Sequence, residues 1–328
     1  MPYNQFAGVG EETTYGTIVA RSKFAKVMAG STLNHKADRD KTAKLSANLG
    51  GDPEGNFDKG QRGEGKLIIP CSYDDGLFLK VLKHLLGTCA TAGGAPPYTH
   101  TFTRSVTLAG GGTPTAVALT AELNFELPDA GPLQARVLAG ARIMGGNFAW
   151  NAGEEIVLDA DLIGKEVTQV VKSGSPTYPD YDTYEMKFSQ ATVSINGTAF
   201  GPVCSGLNFA ISNGHEPRIR LGSVYTQRPL RRGVASLSGA VRLDWEDTPS
   251  SKVLWQAFKD NVYNSIVVTL TGPSGYSMVV TLSKVKFNES TLTPDEGELQ
   301  AVEFPFEAYN DATNTAVKIA VQNSTATV

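Results

Sequence analysis

The residues best able to do chemistry in this chain are its four histidines and three cysteines, and their spacing does not suit them for it. Cys71, His84, Cys89 and His100 offer metal-binding atoms within one stretch, but no CxxC or HxxxH pair anchors them. Zinc sites nearly always contain such a short-range pair. Cys71 falls on the apolar face of a predicted strand and is expected in the core. His84 lies on a predicted helix between apolar positions and is expected at its solvent edge. Nucleophilic catalysis lacks a GxSxG elbow, and His35, His84, His100 and His215 form no triad pattern. The glycine clusters at 110–112 and 145–146 lead into strand-like residues, not into a helix carrying Lys and Ser/Thr, so no phosphate loop is expected. Asp159 and Asp161 stand two apart on one strand. They therefore share a face, unlike a glycosidase pair, which flanks its substrate. The expectation is a protein that is not an enzyme, with no catalytic residue, no metal and no cofactor.

The elements that would have to position a site are more informative. The chain has 328 residues, a net charge of −4, 41% hydrophobic and 19% charged residues, which is the composition of a folded protein of two ordinary domains. The negative balance argues against tight binding of nucleic acid or an anionic membrane. Three irregularly spaced cysteines indicate synthesis in a reducing cytosol. The start, MPYNQFAGVGEETTYGT, has Glu11 and Glu12 and no apolar centre, so it does not read as a signal peptide. The triplets at Asn196, Asn288 and Asn323 are accordingly read as unmodified. No apolar run is long enough for a membrane helix.

Residues 65–86, GKLIIPCSYDDGLFLKVLKHLL, and 237–258, LSGAVRLDWEDTPSSKVLWQAF, follow one pattern. At a constant offset of 172 residues, Ile69, Cys71 and Tyr73 fall on Val241, Leu243 and Trp245, and Lys80, Val81 and Leu82 fall on Lys252, Val253 and Leu254. Each copy alternates with period two, breaks at an acidic turn, then switches to helical spacing: a strand, a turn and a short amphipathic helix. A single long offset means two domains and not a solenoid. Leu158, Ala160 and Leu162 keep the phase of Val302, Phe304 and Phe306, extending the likeness.

The predicted organisation is an N-terminal arm over 1–22, a first domain over 23–171, a Gly/Ser/Pro linker over 172–180, a second domain over 181–310 and a C-terminal arm over 311–328. Residues 45–64 and 220–233 read as long loops. Long strands joined near Asn151–Gly153 and a hairpin turning at Pro273–Gly275 are expected. Tyr73, Trp150, Trp245, Trp255, Phe304 and Phe306 are assigned to core packing. The fold class is mainly β: two tandem antiparallel β-sandwich domains of seven or eight strands, each with one short flanking helix, plus long loops and terminal arms.

Several stretches together resemble the major tail tube proteins of long-tailed, siphovirus-type bacteriophages: GEETTYGT (10–17), PCSYDDGLFLKVLKHLLGT (70–88), YTHTFT (98–103), RIMGGNFAWNAGEEIVLDADLIGKE (142–166), LNFAISNGHEPRIRLGS (207–223) and VKFNESTLTPDEGELQAVEFPFEAYND (285–311). The order and combination carry the resemblance. It implies a virion protein, made in the host cytoplasm, whose rings stack into a tube that conducts DNA and the tape measure protein. Tail initiator and terminator proteins would be its other partners, with viral DNA passing unbound and no membrane involved. Family rings commonly hold six single-domain subunits. A domain present twice per chain implies a homotrimeric, pseudo-hexameric ring, the alternative being a homohexamer. A tail terminator or capsid-decorating protein is the second reading, and a carbohydrate-binding β-sandwich the third.

Within that resemblance, a pore passing a polyanion should be acidic or neutral, since each cation on a phosphate adds binding free energy. Asp159, Asp161, Glu303 and Glu307 are the candidate lumen residues, a solvated outer wall being the alternative. The loop at 45–64, with Asp52, Glu54, Asp58 and Glu64, is acidic, whereas 216–232, with Arg228, Arg231 and Arg232, is basic. They are candidates for contact between rings, setting register more than affinity. Val317, Ile319 and Val321 alternate on one face of the C-terminal segment. That segment would add a strand to a neighbour's sheet edge or form an edge of its own domain.

Overall fold

The computed structural model describes residues 5–41, 56–74, 76–104, 118–125, 134–174, 176–200, 203–231, 235–244, 249–288, 291–292, 301–310 and 315–328. The first half contains β1 (Phe6–Glu12), β2 (Lys23–Lys26), β3 (Thr32–Lys41), β4 (Asn56–Pro70), α1 (Gly76–Leu86), β5 (Gly87–Ala92), β6 (Tyr98–Arg104), β7 (Ala118–Asn124), β8 (Ala135–Asn151), β9 (Val157–Gly164) and β10 (Glu166–Val170). After a one-turn α2 (Tyr181–Tyr184) come β11 (Ala191–Ile195), β12 (Thr198–Ala199), β13 (Cys204–Ser212), β14 (His215–Arg218), β15 (Gln227–Arg231), β16 (Ser236–Asp244), α3 (Pro249–Lys259), β17 (Asn264–Thr271), β18 (Ser277–Phe287), β19 (Thr291–Leu292), β20 (Ala301–Ala308) and β21 (Lys318–Asn323). The protein is mainly β, with open antiparallel sheets and few short helices, and it carries more strands than the seven or eight expected per half.

Strand pairing repeats in order. In the first half β1 pairs β7, β7 pairs β8, β8 pairs β9, β9 pairs β4 and β4 pairs β3. In the second, β11 pairs β17, β17 pairs β18, β18 pairs β20, β20 pairs β16 and β16 pairs β13. β8 and β18 each change partners along their length, and their N-terminal portions carry one further neighbour, β10 and β21 respectively. Ile69 lies opposite Leu158, and its repeat partner Val241 lies opposite Phe304. Pairing thus matches Leu158 to Phe304 and Ala160 to Phe306, a shift of two residues that preserves the phase read from sequence.

The halves are fused through their backbones. The C-terminal part of β8, Gly145–Asn151, pairs with Gly206–Ser212 of β13, making one sheet in the order β3-β4-β9-β8-β13-β16-β20-β18. Phe148, Trp150 and Phe209 stack beneath this junction, with ring centroids 4.8 Å apart for Phe148–Phe209 and 5.1 Å for Trp150–Phe209. A Cβ on Gly145 would lie 2.9 Å from Ile211 O, so the strands meet where no side chain intervenes.

The terminal segments are not arms over their described residues. β1 is an inner strand between β2 and β7, with Ala7 and Val9 fully buried. Its alternation is hidden because Gly8 and Gly10 occupy positions where the Phe24 ring and Ala20 O lie against the backbone. β21 lies between β18 and β6, with Val317, Ile319 and Val321 fully buried. The C-terminal strand therefore fills a slot within its own chain. Residues 56–64 of the expected first loop belong to β4, and much of the second is the hairpin β14–β15. Gly-rich, polar strands carry no apolar period to reveal them.

Candidate functional site

The candidate lumen residues all lie on one surface. Leu158, Ala160 and Leu162 of β9 and Val302, Phe304 and Phe306 of β20 point into the core, which turns Asp159, Asp161, Glu303 and Glu307 to the opposite face of the fused sheet. Asp161 sits opposite Gly145 and Asp159 opposite Asn147. Glu307 sits opposite Ser238 and Glu303 opposite Arg242. A shallow depression spans the junction between Asp159 and Asp161 on one side and Ser236 and Ser238 on the other.

This face is balanced, not acidic. Lys66 Nζ contacts Asp159 Oδ2 at 2.5 Å, and that hydrogen bond raises the lysine's pKa. Asp161 is pushed above the ordinary carboxylate range, first by burial and then by the neighbouring Asp159 charge. Arg62 joins Glu64 and Asp38, and Lys36 lies 3.8 Å from Glu64. Glu303 and Glu307 are exposed, and Tyr309 Oη donates to Glu307 Oε2 at 2.6 Å. Interleaved charges of both signs leave this surface close to neutral.

The acidic and basic segments meet inside the chain. Gln61 N donates to Val224 O at 2.7 Å, and Thr226 N donates back to Gln61 O at 2.9 Å. A Cβ on Gly60 would fall 1.9 Å from Ile219 Cδ1, so that side chain lies on bare backbone. Asp58 is held by Arg39 at 3.1 Å and accepts from Gln61 Nε2 at 3.0 Å. Glu64 is occupied as above. Arg228 faces Arg142, whose pKa is pushed down to about 10, first by burial and then by the Arg228 charge. Asp52, Glu54 and Arg232 lie outside the described residues, as does the side chain of Arg231.

The cysteines and histidines remain apart. Cys71 is fully buried in the core, and among the described residues no three of His, Cys, Asp and Glu gather as a metal site. His100 is buried, with Nδ1 2.9 Å from Thr91 Oγ1 and Nε2 2.8 Å from Thr325 O, which ties β6 to the C-terminal segment. His84 is buried and not at a solvent edge: its side chain is 3% exposed and Nε2 lies 3.3 Å from Glu11 Oε1. The reason is β1, which sequence did not place, since it brings Glu11 over α1. Glu11 also accepts from Lys80 Nζ at 2.9 Å and Lys83 Nζ at 3.1 Å. These donors, led by His84, hold its carboxyl well below the ordinary range. Burial holds His84 below the usual imidazole value. Trp255, expected in the core, is 43% exposed, since no described residue buries that face of α3. Trp245 lies outside the described residues.

The organised features are thus sheet edges, a flat solvated face and side chains that tie elements together, which is the make-up of a structural building block. A family model for phage tail tube proteins matches residues 3–308, and the chain belongs to that family. It is a structural component of a phage tail tube, which forms by self-assembly, and its place is the virion tail. Compared with curated proteins, the chain matches none. Among the described residues no helix is long and apolar enough to cross a membrane.

Proposed function

We propose that this chain is a duplicated tube subunit of a siphovirus-type phage, three copies closing into a pseudo-sixfold ring and rings stacking into the conduit for DNA and the tape measure protein. The observation that carries the reading is the repeated pairing order, which supplies two equivalent wall units per chain already joined edge to edge. A contact made within one polypeptide acts at a millimolar-scale effective concentration when the tether is short, so tandem units leave fewer contacts to be made between chains. Ring closure is head-to-tail, since a twofold contact would stop at a dimer.

The face carrying Asp159, Asp161, Glu303 and Glu307 lines the bore in this reading. Its near-neutral balance, with Lys66 neutralised by Asp159, gives DNA no run of free cations to bind. Asp52 and Glu54 reach the next ring, where Arg231 and Arg232 receive them, and this exchange sets stacking register. Tail initiator and terminator proteins bound the tube at its ends.

Electron microscopy of the purified chain with a tail initiator tests the reading. Long hollow filaments with threefold-averaged rings are expected. Single rings that do not stack would identify a terminator instead, and monomers that bind glycans would identify a carbohydrate-binding sandwich.

A further inference from the structure

The two ends of the fused sheet repeat the two strands that meet at its centre, yet among the described residues no strand lies beyond β3 or beyond Lys286 and Phe287 of β18, whose preceding residues pair with β17 and β21. Leu33 and Asn34 of β3 lie opposite Gly65 and Glu64, as Ile211 and Ser212 of β13 lie opposite Leu237 and Ser236. Gly145 and Gly146 of β8 lie opposite Asp161 and Ala160, as Lys286 and Phe287 of β18 lie opposite Glu307 and Phe306. At the centre, Ile211 pairs with Gly146 and Ser212 with Gly145. At the ends, β3 has β4 as its one strand partner, and Lys286 and Phe287 pair only with β20.

The helices differ in the same sense. Val81 of α1 is 1% exposed, whereas its repeat counterpart Val253 of α3 is 52% exposed; Leu82 and Leu254 are both fully buried. The β5–β6 hairpin that packs on α1 has no counterpart after α3, where residues 260–263 lead directly into β17. Val253, Trp255, Val262 and Tyr263 are consequently all more than 40% exposed, on α3 and the turn that follows it, and α3 packs beside β18. Free strand edges of this kind are rarely left open in a soluble protein.

We propose that a second copy of this chain supplies both missing partners, laying its β3 antiparallel along β18 with the register of the central junction. Leu33 of the partner subunit then faces Phe287, and Asn34 of the partner subunit faces Lys286, while the partner covers Val253 and Trp255. The proposal rests on the ring reading above and adds the edges, the register and the asymmetry between seams. The seam inside the chain is closed by two strand pairs, β8–β13 and β6–β21. The seam between chains has one strand pair and the exposed side chains of α3. In the free chain Arg136 Nη1 donates to Leu33 O and to Asn34 Oδ1, both at 3.0 Å, a charged side chain that blunts the open edge.

Disulfide trapping in the full-length chain tests the register. Residues directly opposite on antiparallel strands have Cα atoms about 4.5–5.5 Å apart, within disulfide reach. Asn34→Cys combined with Lys286→Cys should give, on mild oxidation of assembled rings, an interchain ladder on a non-reducing gel that ends at the closed ring. Asn34→Cys with Ser283→Cys, three residues out of register, should give none. A ladder from the second pair, or none from the first in particles whose rings are visible, overturns the proposed register and leaves the tube reading standing. Wild-type chains that form no rings overturn both. Hydrogen exchange on the wild-type chain gives a readout free of substitutions: amides of 29–34, 253–255 and 285–288 should slow about tenfold or more on assembly. Unchanged exchange there, with rings present, refutes the proposal.

Discussion

Glu11 is the residue whose removal should report most directly on how the N-terminal strand is fastened. Its carboxylate accepts from Lys80, Lys83 and His84 at 2.9, 3.1 and 3.3 Å, joining β1 to successive turns of α1. Charge-assisted hydrogen bonds contribute about 1.5–3 kcal/mol each when well buried. Here the carboxylate is 25% exposed and the bonds are of ordinary length, so about 1 kcal/mol each is the appropriate scale after solvent screening. Glu11→Gln keeps the shape and one acceptor oxygen but removes the charge, leaving two half-buried ammonium groups facing an amide. A loss of about 2 kcal/mol at pH 7 follows, read as a lower midpoint in urea unfolding of the unassembled chain at constant slope. The pH dependence supplies the stricter check. The folded pKa of Glu11 lies below its ordinary value of 4.5, so its contribution is complete above that value and is lost as pH falls below it. The gap between wild type and Glu11→Gln should therefore not shrink between pH 7 and about 5, where loss of the Glu11 charge also leaves His84 harder to protonate, and should shrink in more acid solution as Glu11 itself is protonated. His84 acts in the same direction in both proteins: held neutral by burial, it costs stability once pH drops below the ordinary imidazole value of 6.5. Equal midpoints at pH 7, or a gap that persists unchanged into acid, would refute the assignment of Glu11 as a charged fastener.

Other perturbations have equally definite outcomes. Ile319→Ala empties a fully buried position between Phe102 of β6 and Val280 of β18, and should cost about 2–5 kcal/mol by thermal or chemical unfolding. Gly239→Ala would place a Cβ 2.2 Å from Asn208 O, forcing β13 and β16 apart; a loss of about 2 kcal/mol or more is expected, with faster hydrogen exchange in those two strands. Replacing Asp159, Asp161, Glu303 and Glu307 together with Lys should leave tubes intact by microscopy but slow DNA release from reconstituted tails. Unchanged release would place that face outside the bore.

What could be read in advance followed from periodicity. The alternation in 65–73 and 237–245 and the switch to helical spacing after it located β4, α1, β16 and α3, because each carries its apolar residues at the period of its own element. The turn at Pro273–Gly275 likewise sits between β17 and β18. Alternation also placed Asp159, Asp161, Glu303 and Glu307 on solvent-facing positions, but not on a shared surface, because the β8–β13 pairing joins residues about sixty positions apart. Gly145 and Gly146 are its only local trace, glycines where two backbones come close. β1 is not visible in the sequence because its glycines are required by Phe24 and Ala20, and β14 and β15 because they are short and polar. His84 and Trp255 were each misplaced for one reason: what covers a helix comes from elsewhere in the chain, and the two helices are covered differently.

The position of β21 has a bearing on how the molecule is made. Strand β21, synthesised more than 200 residues after β6, fits between β6 and β18 and closes distant contacts such as that of His100 with Thr325. Until it arrives, a nascent chain carries two further adhesive borders at its middle. Such late, distant closure is intrinsically slow and exposes the intermediate to misassociation. The arrival of β21, and not the folding of either half, is then the event that turns an aggregation-prone chain into a storable subunit.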